Sequence, residues 1–228
     1  MKIKTLPNKL TYIIDNSVGK KSASILLGVK VGSRNEQISE YGLSHFLEHM
    51  LFKGTKKRKE SKDVSNSIYK YGASFNAFTN YDMTCYEITI SSENLENALE
   101  VLADMMFNST LVDLKPEIGV VVSENKKSNS NPIELLFEKC NNQVFKNTTF
   151  AHSIGGHNTT IKKFNKPFVK KFYKKYYSSN NMILSISGKT PKNIDKIIRK
   201  HFNINRINKI PSTPSYNNFI NFQKKNTF

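Results

Sequence analysis

The sequence predicts an α+β domain in which helices pack on one face of a largely antiparallel sheet, and three observations carry that prediction. Strand-like and helix-like segments occur in blocks rather than in the strict alternation of a parallel βαβ sheet. Apolar spacing changes along the chain from the alternation of strands to the 3.6-residue period of helices. The apolar share of 38%, with 15 Phe among 228 residues, is enough to bury a sizeable core.

Lys9 to Asp15 and Ser22 to Gly32 have strand composition with polar turn residues between them, which suggests a hairpin. Gly42 to Lys53 sets Leu43, Phe46, Leu47, Met50 and Leu51 at helical spacings, and Gly54 supplies a stop. After the basic stretch Lys56 to Lys59, Ser61 can cap a short helix running to about Tyr71, ended by Gly72. Ala73 to Thr79 and Thr84 to Ser91 read as two strands paired around Asn80-Tyr81-Asp82.

Leu95, Ala98, Leu99, Leu102, Ala103 and Met106 form an amphipathic helical stripe of core-packing type. Pro116 opens the next helix, where its missing N–H costs little, and Ile118, Val121 and Val122 continue it. Pro132 interrupts or restarts that helix before a periodic stretch from Ile133 to Val144. A glycine-bearing loop follows (His152 to Asn158), then a Lys-rich helix (Pro167 to Tyr177), a strand (Met182 to Ser187) and a last helix (Pro191 to His201). From Asn203 onward Asn, Pro and Ser dominate, so residues 1–202 read as the domain and 203–228 as a linker, an unfinished strand or the start of a further domain.

No stretch approaches the 18 or more apolar residues of a membrane span, and the first seven residues lack the apolar run of a secretory signal; a cytoplasmic protein is the expectation. Cys85 and Cys140 make neither a disulfide framework nor a metal knuckle and read as reduced thiols. The net charge of +17 is unevenly placed. Residues 1–124 hold 15 of the 35 Lys and Arg and 15 of the 18 Asp and Glu, so the whole excess lies in 125–228. That half suits an acidic partner, a nucleic acid or an anionic membrane, but Lys, Asn and Ile are abundant together throughout, as in a chain from an AT-rich genome. Charge alone speaks to solubility and non-specific binding, so nucleic-acid binding is not expected.

His45-Phe46-Leu47-Glu48-His49 has the pattern H-x-x-E-H, the inverted zinc-peptidase motif. On a helix, positions 45 and 49 lie one turn apart on one face, so two imidazoles reach a single metal while Glu48 points at a water beside it. With 5 His and 12 Glu in the chain, random placement would give roughly 0.006 such patterns. His152 and His157, flanking Gly155-Gly156, read as polar loop residues, and His201 as a contact to a helix C-terminus.

The flanks carry a resemblance. Gly42 to Thr55 closely resembles the zinc-helix segment of the insulinase-like, or pitrilysin, family, which includes the mitochondrial processing peptidase. Gly32-Ser33-Arg34-Asn35-Glu36 is similar to that family's turn after the second strand, Gly72 to Thr79 to its substrate-edge segment, and Tyr173 to Met182 to a further stretch. The resemblance covers roughly residues 5–190 and implies one zinc ion per chain. It implies Glu124, 75 residues beyond His49, as the third ligand beside His45 and His49. Glu117, seven residues before Glu124, is implied to shape the site, and Glu48 to be the catalytic base. Asn76, Ala77, Phe78 and Thr79 are implied to pair with an extended or unfolded polypeptide substrate.

Zinc-dependent endopeptidase chemistry follows from the resemblance, with a non-catalytic subunit or binding domain of a larger complex as the alternative. Active members of the family carry a second homologous half that closes the chamber, and nothing after Glu124 repeats the first part. A further domain, a partner subunit or a second copy is therefore expected.

Overall fold

The computed structural model describes residues 1–16 and 21–212. Strands β1 (Lys2–Thr5), β2 (Thr11–Asn16), β3 (Ser22–Val29), β4 (Ser74–Thr79), β5 (Thr84–Ser91) and β6 (Met182–Gly188) form one sheet in the order β1-β2-β6-β3-β5-β4. Every neighbouring pair is antiparallel except β2 with β6. Alternation sets the two faces: Ala23, Ile25 and Leu27 of β3, Ile88 and Ile90 of β5, and Leu184 and Ile186 of β6 point into the core. Ser24 and Thr89 instead meet across the open face, their hydroxyls 3.0 Å apart.

The predicted hairpin between β2 and β3 does not form, because β6 occupies the space between them. β6 pairs with β2 in parallel, Tyr12 opposite Leu184, and with β3 antiparallel, Leu27 opposite Leu184. Alternation shows that a strand has one buried face but does not name its neighbour; here a strand from the far end of the chain gains two partners at once. β1 is an edge strand with all four residues exposed, so it lacks the alternation that would reveal it.

The helices are α1 (Leu43–Leu51), α2 (Ser61–Tyr69), α3 (Leu95–Asn108), α4 (Leu114–Ser130), α5 (Pro132–Val144), α6 (Asn158–Ile161), α7 (Lys166–Tyr176) and α8 (Ile194–Phe202). α1 buries Leu43, Phe46, Leu47, Met50 and Leu51, the predicted stripe, so its opposite face is left for chemistry. Ser61 is the first residue of α2 rather than its cap: Glu60 takes that place, its N–H donating to Asp63 at 3.1 Å. α4 begins two residues before Pro116, which sits within the first turn, where an N–H has no helical acceptor. Asn131 ends α4 and caps α5, accepting from Ile133 N at 3.0 Å, and Pro132 restarts the helix in a new direction. No residue of α5 is buried; Ile133, Leu136, Phe137 and Val144 are exposed despite their helical spacing.

Beyond α8 the backbone folds back onto the domain. Ser179 N donates to Arg206 O at 2.8 Å, Asn180 Nδ2 to Asn208 O at 2.8 Å, and Asn8 Nδ2 to Phe202 O at 2.6 Å. Residues 203–210 are thus fastened to the ends of α7 and β6, and the tail from 213 onward lies outside the described residues. Among the described residues no helix is long and apolar enough to cross a membrane.

Candidate metal centre

The centre is built where α1 and α4 meet. α1 starts at Gly42, whose φ of +91° favours glycine. No side chain of the helix caps it. The buried Glu36 carboxylate does so from outside, accepting from Gly42 N at 2.8 Å and Ser44 N at 2.6 Å. Two of the helix's unpaired N–H groups thereby gain a charged acceptor at the positive end of the dipole. Burial pushes the Glu36 carboxyl up from its usual value, against the downward pull of these donors.

One turn in, His45 and His49 project from the same face with their Nε2 atoms 3.2 Å apart. Glu124, on α4, places Oε2 3.4 Å from His49 Nε2, and the three donor atoms lie within 4.8 Å of one another. Zinc–ligand bonds of about 2.0–2.1 Å in a tetrahedron put neighbouring donor atoms roughly 3.3 Å apart, so the two close separations match what zinc requires. Two imidazole nitrogens at that distance share at most one proton, and a cation would engage both lone pairs. The donor set therefore fits zinc: two neutral imidazoles and a carboxylate.

The tautomer is set from behind. Glu117 is buried and accepts from His49 Nδ1 at 2.8 Å and from Lys53 Nζ at 2.6 Å, which leaves His49 Nε2 as the lone-pair nitrogen. Burial would raise Glu117, but the bonds from His49 and Lys53 outweigh it and hold the carboxyl below its usual range. Burial would likewise lower His49, yet the bond to Glu117 and the charges of Glu124, Glu117 and Glu48 outweigh it and raise the imidazole. His45 goes the other way: burial, then the neighbouring His49, lower it to about 4, so it stays neutral and available as a donor at any ordinary pH.

Glu48 is not one of the three donors. It is buried beside them, with Thr79 Oγ1 donating to its Oε2 at 2.6 Å. Burial raises the Glu48 carboxyl from its usual value, the Thr79 bond opposes that rise, and Glu124 adds to it. A carboxylate whose proton affinity is raised in this way is better suited to taking up a proton than one free in water.

Two hollows flank the donors. A cleft of about 480 Å³ is lined by His45, Tyr81, Glu124, Phe137 and His152 among others, with the otherwise unburied α5 as one wall. A smaller pocket of about 190 Å³ lies between Glu48, His49 and Glu117 and the edge strand β4, where Phe75, Asn76 and Ala77 form its lip. Of the residues expected to meet substrate, Asn76 and Ala77 border this pocket. Phe78 is exposed beyond it, and Thr79 turns its hydroxyl onto Glu48.

His152, read from sequence as a polar loop residue, is buried and stacked on Tyr41 with ring centroids 3.8 Å apart. His201 contacts Glu96, with Nε2 to Oε1 at 3.3 Å. Sequence reasoning gave no role to Glu36, Lys53 or Asn125, and it assigned Thr79 to substrate alone. Glu36 carried the one readable signal, an acidic residue in a non-helical segment shortly before a helix that has no N-cap side chain of its own.

Residues 11–158 match the profile described as insulinase (peptidase family M16), and residues 163–225 match the one described as the peptidase M16 inactive domain. The chain belongs to this peptidase family, a family of zinc proteases. An uncharacterized zinc protease of Rickettsia bellii is 38% identical over 188 residues, which is 82% of this chain and 45% of that protein. The beta subunit of the mouse mitochondrial-processing peptidase is 34% identical over 185 residues, 80% of this chain and 37% of that one. A Helicobacter pylori protease of known crystal structure superposes with a TM-score of 0.88 at 28% identity, covering 94% of this chain and 52% of its own. The chain thus spans about half the length, or less, of these relatives.

Proposed function

We propose that this chain is the metal-binding half of a zinc endopeptidase acting on extended or unfolded polypeptides, with one zinc ion held by His45, His49 and Glu124. The observation that carries the reading is the convergence of those donors at zinc-like separations with a buried carboxylate, Glu48, beside them. When bound, zinc supplies Lewis acidity, polarising the scissile carbonyl and bringing the pKa of a water down to about 7. Glu48 takes the proton of the attacking water at the carboxylate oxygen that Thr79 leaves free, then hands it to the leaving amine nitrogen. Thr79 keeps the other oxygen fixed and so aims the carboxylate. Glu117 holds His49 in the tautomer that ligates.

β4 is the edge strand of the sheet beside the donors, opposite the β1 edge, and the lip formed by Asn76 and Ala77 favours addition of an extended backbone along it, continuing through Phe78 and Thr79. Main-chain pairing of this kind provides affinity with little demand on sequence. The chain's share of its relatives' length supports a second domain or subunit that completes the chamber, and residues 1–202 are proposed as the catalytic unit, with 203–228 leading out of it. Elemental analysis beside His49→Ala and Glu124→Ala variants tests the reading. About one zinc per chain, lost in both variants, is expected, together with a Glu48→Gln variant that keeps its zinc and cleaves no unfolded protein when the second half is supplied. No zinc in the intact protein under chelator-free conditions would overturn it.

A further inference from the structure

The loop from His152 to His157 touches both helices that carry metal donors. Against α1, the approach is backbone to backbone: a Cβ on Gly156 would lie 2.3 Å from Tyr41 O, and one on Gly42 would lie 2.7 Å from Gly155 O. Against α4, Asn125, the residue after Glu124, donates through Nδ2 to Gly155 O at 2.9 Å. A Cβ on Gly155 would lie only 2.3 Å from Asn125 Oδ1, so the loop backbone is seated directly on that side chain. The loop's other end is held by His152, whose ring stacks parallel to Tyr41 at 3.8 Å and whose Nε2, within ion-pair distance but not hydrogen-bonded, lies 3.5 Å from Glu36 Oε2. Glu36 is the carboxylate that grips Gly42 N and Ser44 N at the start of α1.

These contacts form one connected path: α1 start, Glu36, His152, Gly155-Gly156, Asn125, α4. Its purpose follows from the unequal anchoring of the donors. His45 and His49 stand on a helix whose apolar face is wholly buried, whereas the Glu124 side chain is 47% exposed. What fixes Glu124 relative to the histidines must then be the placement of the α4 backbone at that level.

We infer that the 152–157 loop is a clamp that sets the spacing of α1 and α4, with Glu36 and Asn125 as positioning residues for the zinc ligands although neither touches the metal. The inference rests on the zinc reading for its function, and its physical basis can be tested without metal. In the metal-free protein, Asn125→Ala speeds amide hydrogen exchange at Gly42 and Ser44, which Asn125 does not touch, and Glu36→Gln speeds exchange at Gly155 and Gly156. In zinc titrations against a competing chelator, each variant weakens affinity by about 10- to 100-fold, the range for loss of an outer partner at a metal site. The double variant weakens it by less than the product of the two single effects, because either change opens the same clamp.

Far-ultraviolet circular dichroism checks that each variant is folded, and Asn125→Asp, which retains an acceptor but not the donor, separates the hydrogen bond from side-chain size. Failure of the wild-type chain to bind zinc would remove the functional reading and leave the exchange arm to decide the clamp. Unchanged exchange at Gly42 and Ser44 in a folded Asn125→Ala protein would overturn the clamp whatever zinc does. So would strictly multiplicative losses of zinc affinity.

Discussion

Replacing Glu117 by Gln removes the charge behind the metal centre while keeping the side chain's shape. Glu117 is buried and accepts from His49 Nδ1 at 2.8 Å and Lys53 Nζ at 2.6 Å, both donors being partly exposed. A glutamine offers one acceptor oxygen, so one of the two donors is left facing an NH2 group. Loss of such a partner costs about 10- to 100-fold in metal affinity, or about 1.4–2.7 kcal/mol. The pH dependence has a definite sign. Glu117 helps raise His49 above its usual range, so near pH 6 the native His49 holds a proton that zinc must displace. In the variant burial acts with less opposition, His49 falls, and that competition shrinks; His45, at about 4, is neutral in both proteins. The affinity gap is therefore widest near pH 8 and narrows toward pH 6. Competition against a fluorescent chelator at the two pH values measures it, with thermal unfolding of the metal-free proteins as the control for folding. Equal affinities at pH 8, or a gap that widens toward pH 6, would refute the role given to Glu117.

Thr79→Val removes the 2.6 Å bond to Glu48 with little change of shape; kcat should fall by about tenfold, with zinc content and KM held and Thr79→Ser restoring the rate, whereas an unchanged kcat would show that Glu48 is aimed by something else. Phe46→Ala empties a fully buried site packed edge-on against Phe164 and should cost about 3–5 kcal/mol in denaturant titration; a loss under 1 kcal/mol would contradict the packing of α1. Burial, followed by the charges of Glu87 and Glu48, raises the Cys85 thiol to about 11, which leaves a thiolate fraction near 10⁻³ at pH 8. Alkylation followed by mass spectrometry should accordingly label the exposed Cys140 first and Cys85 only on unfolding, and simultaneous labelling would refute the burial of Cys85.

Most elements were legible because their signals are local. Leu43, Phe46, Leu47, Met50 and Leu51 announce α1 by spacing alone, and β4 and β5 pair across Asn80 to Met83, where Asn80 Oδ1 accepts from Asp82 N and Met83 N at 2.8 and 2.7 Å. What stayed hidden is what distance in sequence controls. β6 joins the sheet 153 residues after β3 ends, and no local pattern in β2 or β3 says that a third strand will part them. β1 is exposed on all sides and gives alternation nothing to report.

The same division runs through the metal centre. His45, Glu48 and His49 could be read because a helix converts spacing into direction, and Glu124 could be placed only through likeness to other chains, since no periodicity links α4 to α1. The groups that contact Glu48, His49 and the loop beside α4 come from elements distant in sequence. Thr79 reaches Glu48 from 31 positions away, Glu117 reaches His49 from 68, and Asn125 meets Gly155 from 30. Each is a polar side chain of ordinary type whose role is decided by the partner it finds on another element. A helix motif can therefore point to the chemistry proposed for this chain, while the geometry of the donor cluster and of the carboxylate beside it depends on contacts that arise only when α1, α4, β4 and the glycine loop are brought together.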